Sequence, residues 1–379
     1  MVGGGAKVEG SMTQGAGQGP VVNASVSWRP PQQGVLPLPG GPGGAAPPPP
    51  AAIAGEVAQR TLTTHDLPVV NRAQHNIAQD NVQDTPTIVQ DTPTMQLSRL
   101  SDPEDDLPGP LYVVGDVHGY LDELRAALEA QGLIDTEGHW SAGRARLWFL
   151  GDFTDRGPDG VGVIDLVMRL SAEAAAAGGY AKALMGNHEL LLIGAKRFGD
   201  TPVNSPAGTA SFLAAWRLNG GQPSDMERLE DHHLAWMSRL DAITLEDDHL
   251  LLHSDTTAYL DYGTTIDAVN DAVTGVLQRG DTDECWELFR KFTKRFAFRG
   301  ETGRTAAREL LDAYGGCRVV HGHSPIPYLL GEVGAEDDGE DGKPTVSGPH
   351  LYADDLALAM DGGVTMEGCL LVAQLPLAI

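Results

Sequence analysis

Five times between residues 111 and 324 a short apolar run breaks off in a polar turn made from glycine, aspartate, asparagine and histidine. The runs cover 111–114, 146–150, 180–185, 250–252 and 318–320, and they lead into 115–119, 151–157, 186–189, His253 and 321–324. Apolar runs this short, bounded by glycine, read as buried strands. After the first turn Leu121, Leu124 and Leu128 recur at helical spacing, as do Val161, Ile164, Val167 and Met168 after the second; a third helical stretch spans 190–198. Strand, turn and helix in alternation define an α/β domain. In open sheets of that class the loops at the carboxyl ends of the strands line one rim, where ligands bind. The five polar turns are therefore expected to converge. Two more strands are expected near 356–360 and 369–374.

Elsewhere the rhythm is interrupted. Segments 199–240 and 258–315 are mainly helical and read as cap insertions over that rim, while 331–349, rich in Gly, Asp and Glu, reads as an exposed loop. Residues 1–105 hold Gly-rich stretches, the run Pro47 to Pro50 and few aromatics. They carry no sustained apolar period that could offset the entropy of ordering, and so read as a disordered tail. The hexapeptide VQDTPT at 82–87 and 89–94 is too short to bury a core as a repeat, and its Thr-Pro pairs suit a solvated spacer. Met95 offers an alternative natural start. One catalytic domain, 106–379, remains.

That domain is strongly acidic. Five of the 26 basic and nine of the 52 acidic residues fall in the first 105, which leaves the rest at −22 out of a total formal charge of −26. Such a surface repels phosphate backbones, and no dense Lys/Arg stripe counters it, so nucleic acid is not expected as a partner. Cys285, Cys317 and Cys369 show no C-x-x-C pairing and read as buried thiols of a reducing compartment. No stretch approaches the roughly 20 apolar residues that span a bilayer, and no charged start precedes an apolar core. A cytoplasmic protein without membrane contact is expected.

The turns carry the chemistry. Gly115-Asp116-Val117-His118-Gly119 sets a carboxylate and an imidazole two residues apart, able to face one ion from an extended turn. Gly151-Asp152-Phe153-Thr154-Asp155-Arg156-Gly157 supplies two acids and an arginine, and Gly186-Asn187-His188-Glu189 an amide oxygen, an imidazole and an acid. Each could instead be an ordinary polar turn or, for Asn187, a helix cap. All three in order are harder to explain that way.

Together they resemble the three signatures of the phosphoprotein phosphatases, within the calcineurin-like metallophosphoesterases. The resemblance spans nearly all of 108–375 and takes in Trp216-Arg217-Leu218-Asn219-Gly220-Gly221, similar to a W-x-x-N-G-G stretch of bacterial and phage members, and Met360-Asp361-Gly362-Gly363, similar to an Asp-x-Gly near the last strands. It implies an α/β fold of two packed mixed β-sheets flanked by helices, an αββα sandwich with helical cap insertions. It also implies a dinuclear metal site, with Asp116, His118 and Asp152 on one ion and Asp152, Asn187, His253 and His323 on the other. Two cations about 3.5–4 Å apart, bridged by a carboxylate, share a water that attacks phosphorus in line. Mixed Asp, Asn and His ligands suit borderline ions, manganese first, with iron or zinc as alternatives.

The resemblance further implies Arg156 as a phosphate clamp, His188 as general acid to the leaving oxygen, and Asp155 as the group that orients it. Phe298-Arg299-Gly300 makes Arg299 the second clamp, with Arg295 and Arg304 as competitors. One departure stands out: His253 is followed by Ser254-Asp255, where relatives carry Gly-Gly or Ala-Gly, which puts an extra acid near the metals. In His321-Gly322-His323-Ser324, His323 aligns as the ligand and His321 as an auxiliary residue. The expected activity is metal-dependent phosphomonoester hydrolysis of the Ser/Thr protein phosphatase type, on a phosphorylated protein or a small phosphoester. Cleavage of a dinucleoside polyphosphate or nucleic-acid end is the alternative, and a catalytically dead binding protein a third reading.

Overall fold

The computed structural model describes residues 108–205, 209–331, 346–366 and 368–377. The expected disordered tail, the VQDTPT repeat, Met95 and most of the 331–349 loop lie outside the described residues. The chain opens with three strand, turn and helix units: β1 (Leu111–Val114), α1 (Leu121–Ala130), β2 (Arg146–Phe149), α2 (Gly160–Ala176), β3 (Tyr180–Ala183) and α3 (Asn187–Phe198). Short helices α4 (Phe212–Leu218), α5 (Pro223–Arg228) and α6 (Asp231–Met237) lead to the pair β4 (Ile243–Glu246) and β5 (His249–Leu252). A 3-10 turn at Thr257–Asp261 then precedes α7 (Ile266–Arg279), α8 (Thr282–Phe292), α9 (Gly303–Tyr314), β6 (Arg318–His321) and α10 (Ile326–Leu330). Strands β7 (His350–Tyr352), β8 (Ala357–Ala359) and β9 (Val372–Leu375) finish the order.

The strands form two mixed sheets. One has the order β3-β2-β1-β9, parallel except for β9, and the other β4-β5-β6-β8-β7, with β5, β6 and β8 parallel. Side chains alternate across a strand, and here the alternation sorts them into two cores. Leu111, Val113, Trp148, Leu251, Val320 and Leu358 pack into one cluster, which joins the facing sides of the sheets. Their neighbours Val114, Leu147, Phe149, Leu250, Leu252 and Val319 face the helices with Leu124, Leu128, Ile164 and Val167. Strands with apolar residues on both faces must be covered twice, which is why the runs read as continuous rather than alternating. Each fully buried Leu or Val contributes about 1.5–3 kcal/mol by transfer from water.

Some expectations need correction. Strands β4 and β7 are edge strands that the sequence reading lacked; the burial of β4 is mixed, with Leu245 38% exposed. Helix α3 begins at Asn187 rather than Leu190, because the Glu189 carboxylate turns back to accept from Gly186 N at 3.0 Å and closes the first turn. The last strand starts at Val372 instead of Cys369, whose N–H is taken by the Gly362 carbonyl at 3.3 Å. Of the cysteines only Cys285 is buried; Cys317 is exposed, Cys369 is intermediate and all are free. Among the described residues no helix is long and apolar enough to cross a membrane.

Because β1, β2, β3, β5, β6 and β8 are parallel within their sheets, the loops after them gather the polar turns. The first two turns are zipped by backbone bonds from Val117 N and His118 N to Asp152 O (3.1 and 2.8 Å), Gly119 N to Phe153 O (2.8 Å), Gly157 N to His118 O (2.8 Å) and Asp159 N to Gly119 O (3.0 Å). At the start of α2, Asp159 accepts from Gly162 N at 2.8 Å, and Asp225, reaching across from α5, accepts from Val161 N at 3.1 Å. Burial, with the charge of Asp155 adding to it, pushes the Asp225 carboxyl up to about 6.

Asp225→Ala is expected to lower stability by about 1–2 kcal/mol in chemical denaturation, since it strands a buried N–H at a helix start. Asp225 has a folded pKa above its unfolded value near 3.9, so its contribution is greatest at low pH and is lost as pH rises through about 6. Asp225→Asn is accordingly expected to flatten the pH dependence of stability in that window.

Candidate metal centre

The loops after β1, β2, β3, β5 and β6 bring Asp116, His118, Asp152, Asn187, His253 and His323 together, all buried. The backbone there is unusual. His118, Asp152, Asp155, Arg156 and His323 all adopt positive φ, at 49°, 55°, 71°, 69° and 64°. L-residues enter this region at a cost of roughly 1–2 kcal/mol each, so the surrounding bonds must impose it.

The imidazole tautomers follow from those bonds. His253 Nδ1 donates to the Leu150 carbonyl at 2.9 Å, which leaves Nε2 as a lone pair. That lone pair faces Asn187 Oδ1 at 2.9 Å and Asp152 Oδ1 at 3.3 Å. Three acceptor atoms thus meet with no proton among them, an arrangement that calls for a cation. His323 donates from Nε2 to the Thr293 carbonyl at 3.2 Å, which leaves Nδ1 as the acceptor, and one nitrogen of its ring joins Asp152 and His253 within a 4.8 Å group. On the other side His118 Nδ1 donates to the Thr154 carbonyl at 3.1 Å, and its Nε2 lies 3.9 Å from Asp116 Oδ2 and 3.7 Å from Asp152 Oδ2. Two ligands at about 2.1 Å from one ion stand no more than about 4.2 Å apart, and the pairs His118–Asp116, His118–Asp152, His253–Asp152 and His253–Asn187 lie within that limit. Asp152 belongs to both donor sets.

The charges agree with the donors. Burial, and then the guanidinium of Arg156, hold His118 well below its usual pKa; burial and then Arg295 do the same to His323, and burial lowers His253. Burial alone would raise Asp152, but the imidazoles of His253, His188, His118 and His323 outweigh it and hold the carboxyl below the usual carboxylate range. The other acids go the opposite way. Burial and the charges of Asp361 and Asp152 raise Asp116 well above its ordinary value. Burial and Asp152 raise Glu189 to about 8 although three backbone N–H groups donate to it, and burial brings Asp361 to about 6. Neutral imidazoles beside crowded buried carboxyls are the set that divalent cations would neutralise.

Beside this cluster His188 Nδ1 donates to Asp155 Oδ2 at 2.6 Å, and both are buried. The other oxygen of Asp155 accepts from Trp216 Nε1 at 2.7 Å. The Trp216 to Gly221 stretch also fixes Arg156, whose N–H donates to the Gly220 carbonyl at 2.8 Å. The exposed Arg156 side chain reaches His118 Nε2 at 2.7 Å and His188 Nε2 at 3.1 Å. His118, Asp152 and His188 also form a group within 4.8 Å, and Arg156 meets Nε2 of both imidazoles; the two differ at Nδ1, which in His188 pairs with the Asp155 carboxylate and in His118 with the Thr154 carbonyl. His321 is likewise engaged, with the Gly322 carbonyl at 2.8 Å and Tyr352 Oη at 2.7 Å.

Three residues play parts the sequence did not reveal. Glu189 binds the N–H groups of Asp152, Phe153 and Gly186 at 2.8, 2.8 and 3.0 Å and so ties the second turn to the third. Asp361, after β8, adds a sixth loop to the rim; only its Asp-x-Gly setting hinted at this. Asp255 is not an extra acid facing the metal ligands. It accepts from Ser324 Oγ at 2.6 Å and Phe296 N at 2.7 Å, and its carbonyl takes Ala297 N at 3.0 Å, which fastens the loop after α8. That loop carries the candidate clamps Arg295 and Arg299, which lie 5.9 and 5.8 Å from the same Phe296 ring centroid; the charge of Arg295 reaches His253, His323 and Asp361, and Arg299 stands close to Gly331. Arg304 pairs with Asp354 at 2.8 Å on the surface.

A fold of two mixed sheets with acids and imidazoles gathered at the strand ends defines a metallophosphoesterase. Residues 109–327 match the calcineurin-like phosphoesterase family, and the chain belongs to it. Its members are hydrolases built around a dinuclear metal centre. The chain is 36% identical over 86 residues to Shewanella-like protein phosphatase 2 of Arabidopsis thaliana, covering 23% of this chain and 22% of that one. It is 29% identical over 153 residues to a symmetrical bis(5'-nucleosyl)-tetraphosphatase of Vibrio campbellii, 40% of this chain and 47% of that one. These matches span less than half the length of either relative. A cold-active protein tyrosine phosphatase shares the fold, with a TM-score of 0.50 and 20% identity over 70% of this chain and 73% of that one.

A Cβ built on Gly322 would stand 2.0 Å from Asp116 Oδ1. Gly322→Ala is therefore expected to displace that carboxylate and weaken metal binding about 10–100-fold in a chelator competition, with the fold retained by circular dichroism.

Proposed function

We propose that this chain is a phosphomonoester hydrolase that cleaves alkyl or aryl phosphates, phosphoserine and phosphothreonine in proteins among them, at a centre held by Asp116, His118, Asp152, Asn187, His253 and His323. Bound there, two divalent cations, manganese first among the candidates, would supply a nucleophilic water at neutral pH and offset charge on the phosphoryl group. The chain's own residues do the rest. Asp152 serves both donor sets and fixes their spacing. Arg156, anchored through its backbone to Gly220 and exposed at the mouth, offers its planar fork to two phosphoryl oxygens. Arg295 supports a second contact better than Arg299, because its charge acts on the ligand histidines themselves. Arg156 donates to His188 Nε2 in this structure; once that guanidinium turns to the phosphoryl oxygens, His188, protonated at Nε2, hands that proton to the leaving oxygen while Asp155, steadied by Trp216, fixes the ring. Segments 199–240 and 258–315 act as caps, the first through Trp216 and the second through the loop bearing Arg295.

The observation that carries this reading is the Trp216, Asp155 and His188 chain, with its 2.7 and 2.6 Å bonds. An alkoxide is a poor leaving group and needs a proton as the bond to phosphorus breaks, whereas a departing nucleoside polyphosphate carries its charge readily. A built and oriented acid is of most use to the first. The second reading, hydrolysis of dinucleoside polyphosphates, draws on the longer match to the Vibrio campbellii tetraphosphatase.

A panel of phosphopeptide, p-nitrophenyl phosphate and dinucleoside tetraphosphate, with manganese added, separates the two. His188→Asn is expected to lower kcat on the phosphopeptide about 10²–10³-fold, and less on p-nitrophenyl phosphate, whose leaving group is already acidic. A wild type that prefers the tetraphosphate, or a variant that loses all substrates equally, would count against the proposal. Asn187→Ala and His253→Ala are each expected to lose one of two bound metal equivalents by elemental analysis. Two equivalents retained in both would refute the ligand assignment.

A further inference from the structure

Beside the candidate centre lies a cavity of about 540 Å³ whose lining includes Thr256, Thr257, Asp261, Lys294 and Arg295. It adjoins the ligand histidines through the chain itself. Thr256 stands three residues after His253, and Lys294 follows Thr293, whose carbonyl holds His323 Nε2. The wall carrying the two cations is rigidly set, because Asp255 binds the N–H of Phe296 and takes Ala297 N on its carbonyl. Among the described residues neither Lys294 nor Arg295 makes an ion pair, and both are exposed. Asp261, the acid in the lining, is matched at 3.2 Å by Lys291. In a chain of net charge −26, two unpaired cations side the pocket next to the reaction centre.

We infer that this pocket seats an acidic side chain of a phosphopeptide near the residue being dephosphorylated, with Lys294 as its anion-binding edge beside Arg295, which faces the phosphoryl group. The proposal rests on the phosphomonoesterase reading above and adds a substrate class to it. Among the described residues the lining of the pocket contains no aromatic ring, so they offer no platform on which a nucleobase could stack. It does offer hydroxyls and ammonium and guanidinium donors, which suit a carboxylate. The overall negative charge does not defeat this, since at physiological ionic strength charges beyond about 8 Å are screened and the two nearest cations dominate.

The test uses the full chain and Lys294→Glu, which touches neither the ligands nor His188. Substrates are a phosphothreonine peptide with flanking glutamates, its glutamine and lysine counterparts, p-nitrophenyl phosphate and dinucleoside tetraphosphate. Wild type is expected to favour the glutamate peptide, and Lys294→Glu to lower kcat/KM on it about five- to tenfold while raising that on the lysine peptide. Activity on p-nitrophenyl phosphate should stay within about twofold, because a small aryl ester has no group to place in the pocket. Equal wild-type rates on the three peptides, or a uniform fall in the variant, overturn the pocket assignment and leave the phosphatase reading standing. Failure of wild type on p-nitrophenyl phosphate and every peptide, with tetraphosphate cleaved, overturns both.

Discussion

Asp152 is the buried carboxylate on which the rest of the site depends. Its carbonyl takes two N–H groups from the first turn, its own N–H goes to Glu189, and its Oδ1 accepts from His188 N at 3.0 Å. The side chain faces His253 at 3.3 Å and His118 at 3.7 Å. One residue therefore locks the loops after β1, β2 and β3 to each other and points at the loop after β5. Its backbone is left-handed, at φ 55°, a conformation that the surrounding bonds must impose. The zip of backbone bonds and the three donors to Glu189 hold it there.

Such a centre is costly for a protein to fold. Asp116, Asp361 and Glu189 are buried near Asp152, and mutual repulsion with loss of water raises all three. Packing of the two sheets supplies the opposing free energy, since Val113, Leu251, Val320 and Leu358, in strands that end at the site, are fully buried. Stability is thus stored in the strand bodies and spent at their carboxyl ends. Binding of cations would relieve the repulsion and link metal occupancy to folding.

The parallel strands, the helices behind them and the convergence of five turns were legible because each rests on local pattern: apolar runs, glycines and leucines at helical spacing. What stayed hidden depends on distant partners. Edge strand β4 alternates imperfectly, with Thr244 and Glu246 only partly covered, and forms because β5 lies beside it. Glu189 was visible as a motif letter, yet its grip on residues 36 and 37 positions away needs the fold. Trp216 lies 61 residues from the carboxylate it holds.

Asp255 shows how a departure from family pattern can mislead when read by proximity alone. It stands two residues from the candidate ligand His253, a position that suggests an acid beside the metals. Its carboxylate instead spans Ser324, one residue beyond His323, and the backbone of Phe296. The preceding Ser254 bonds the Phe292 carbonyl and takes the hydroxyl of Tyr259 on its N–H, so both residues that replace the usual small ones face away from the ligands. A glycine pair could make none of these side-chain bonds. The exchange leaves the candidate donors in place and ties the segment that carries Lys294 and Arg295 to the loop after β5. Under the proposed reading, this departure bears on what would lie next to the phosphoryl group rather than on the residues that would hold the cations.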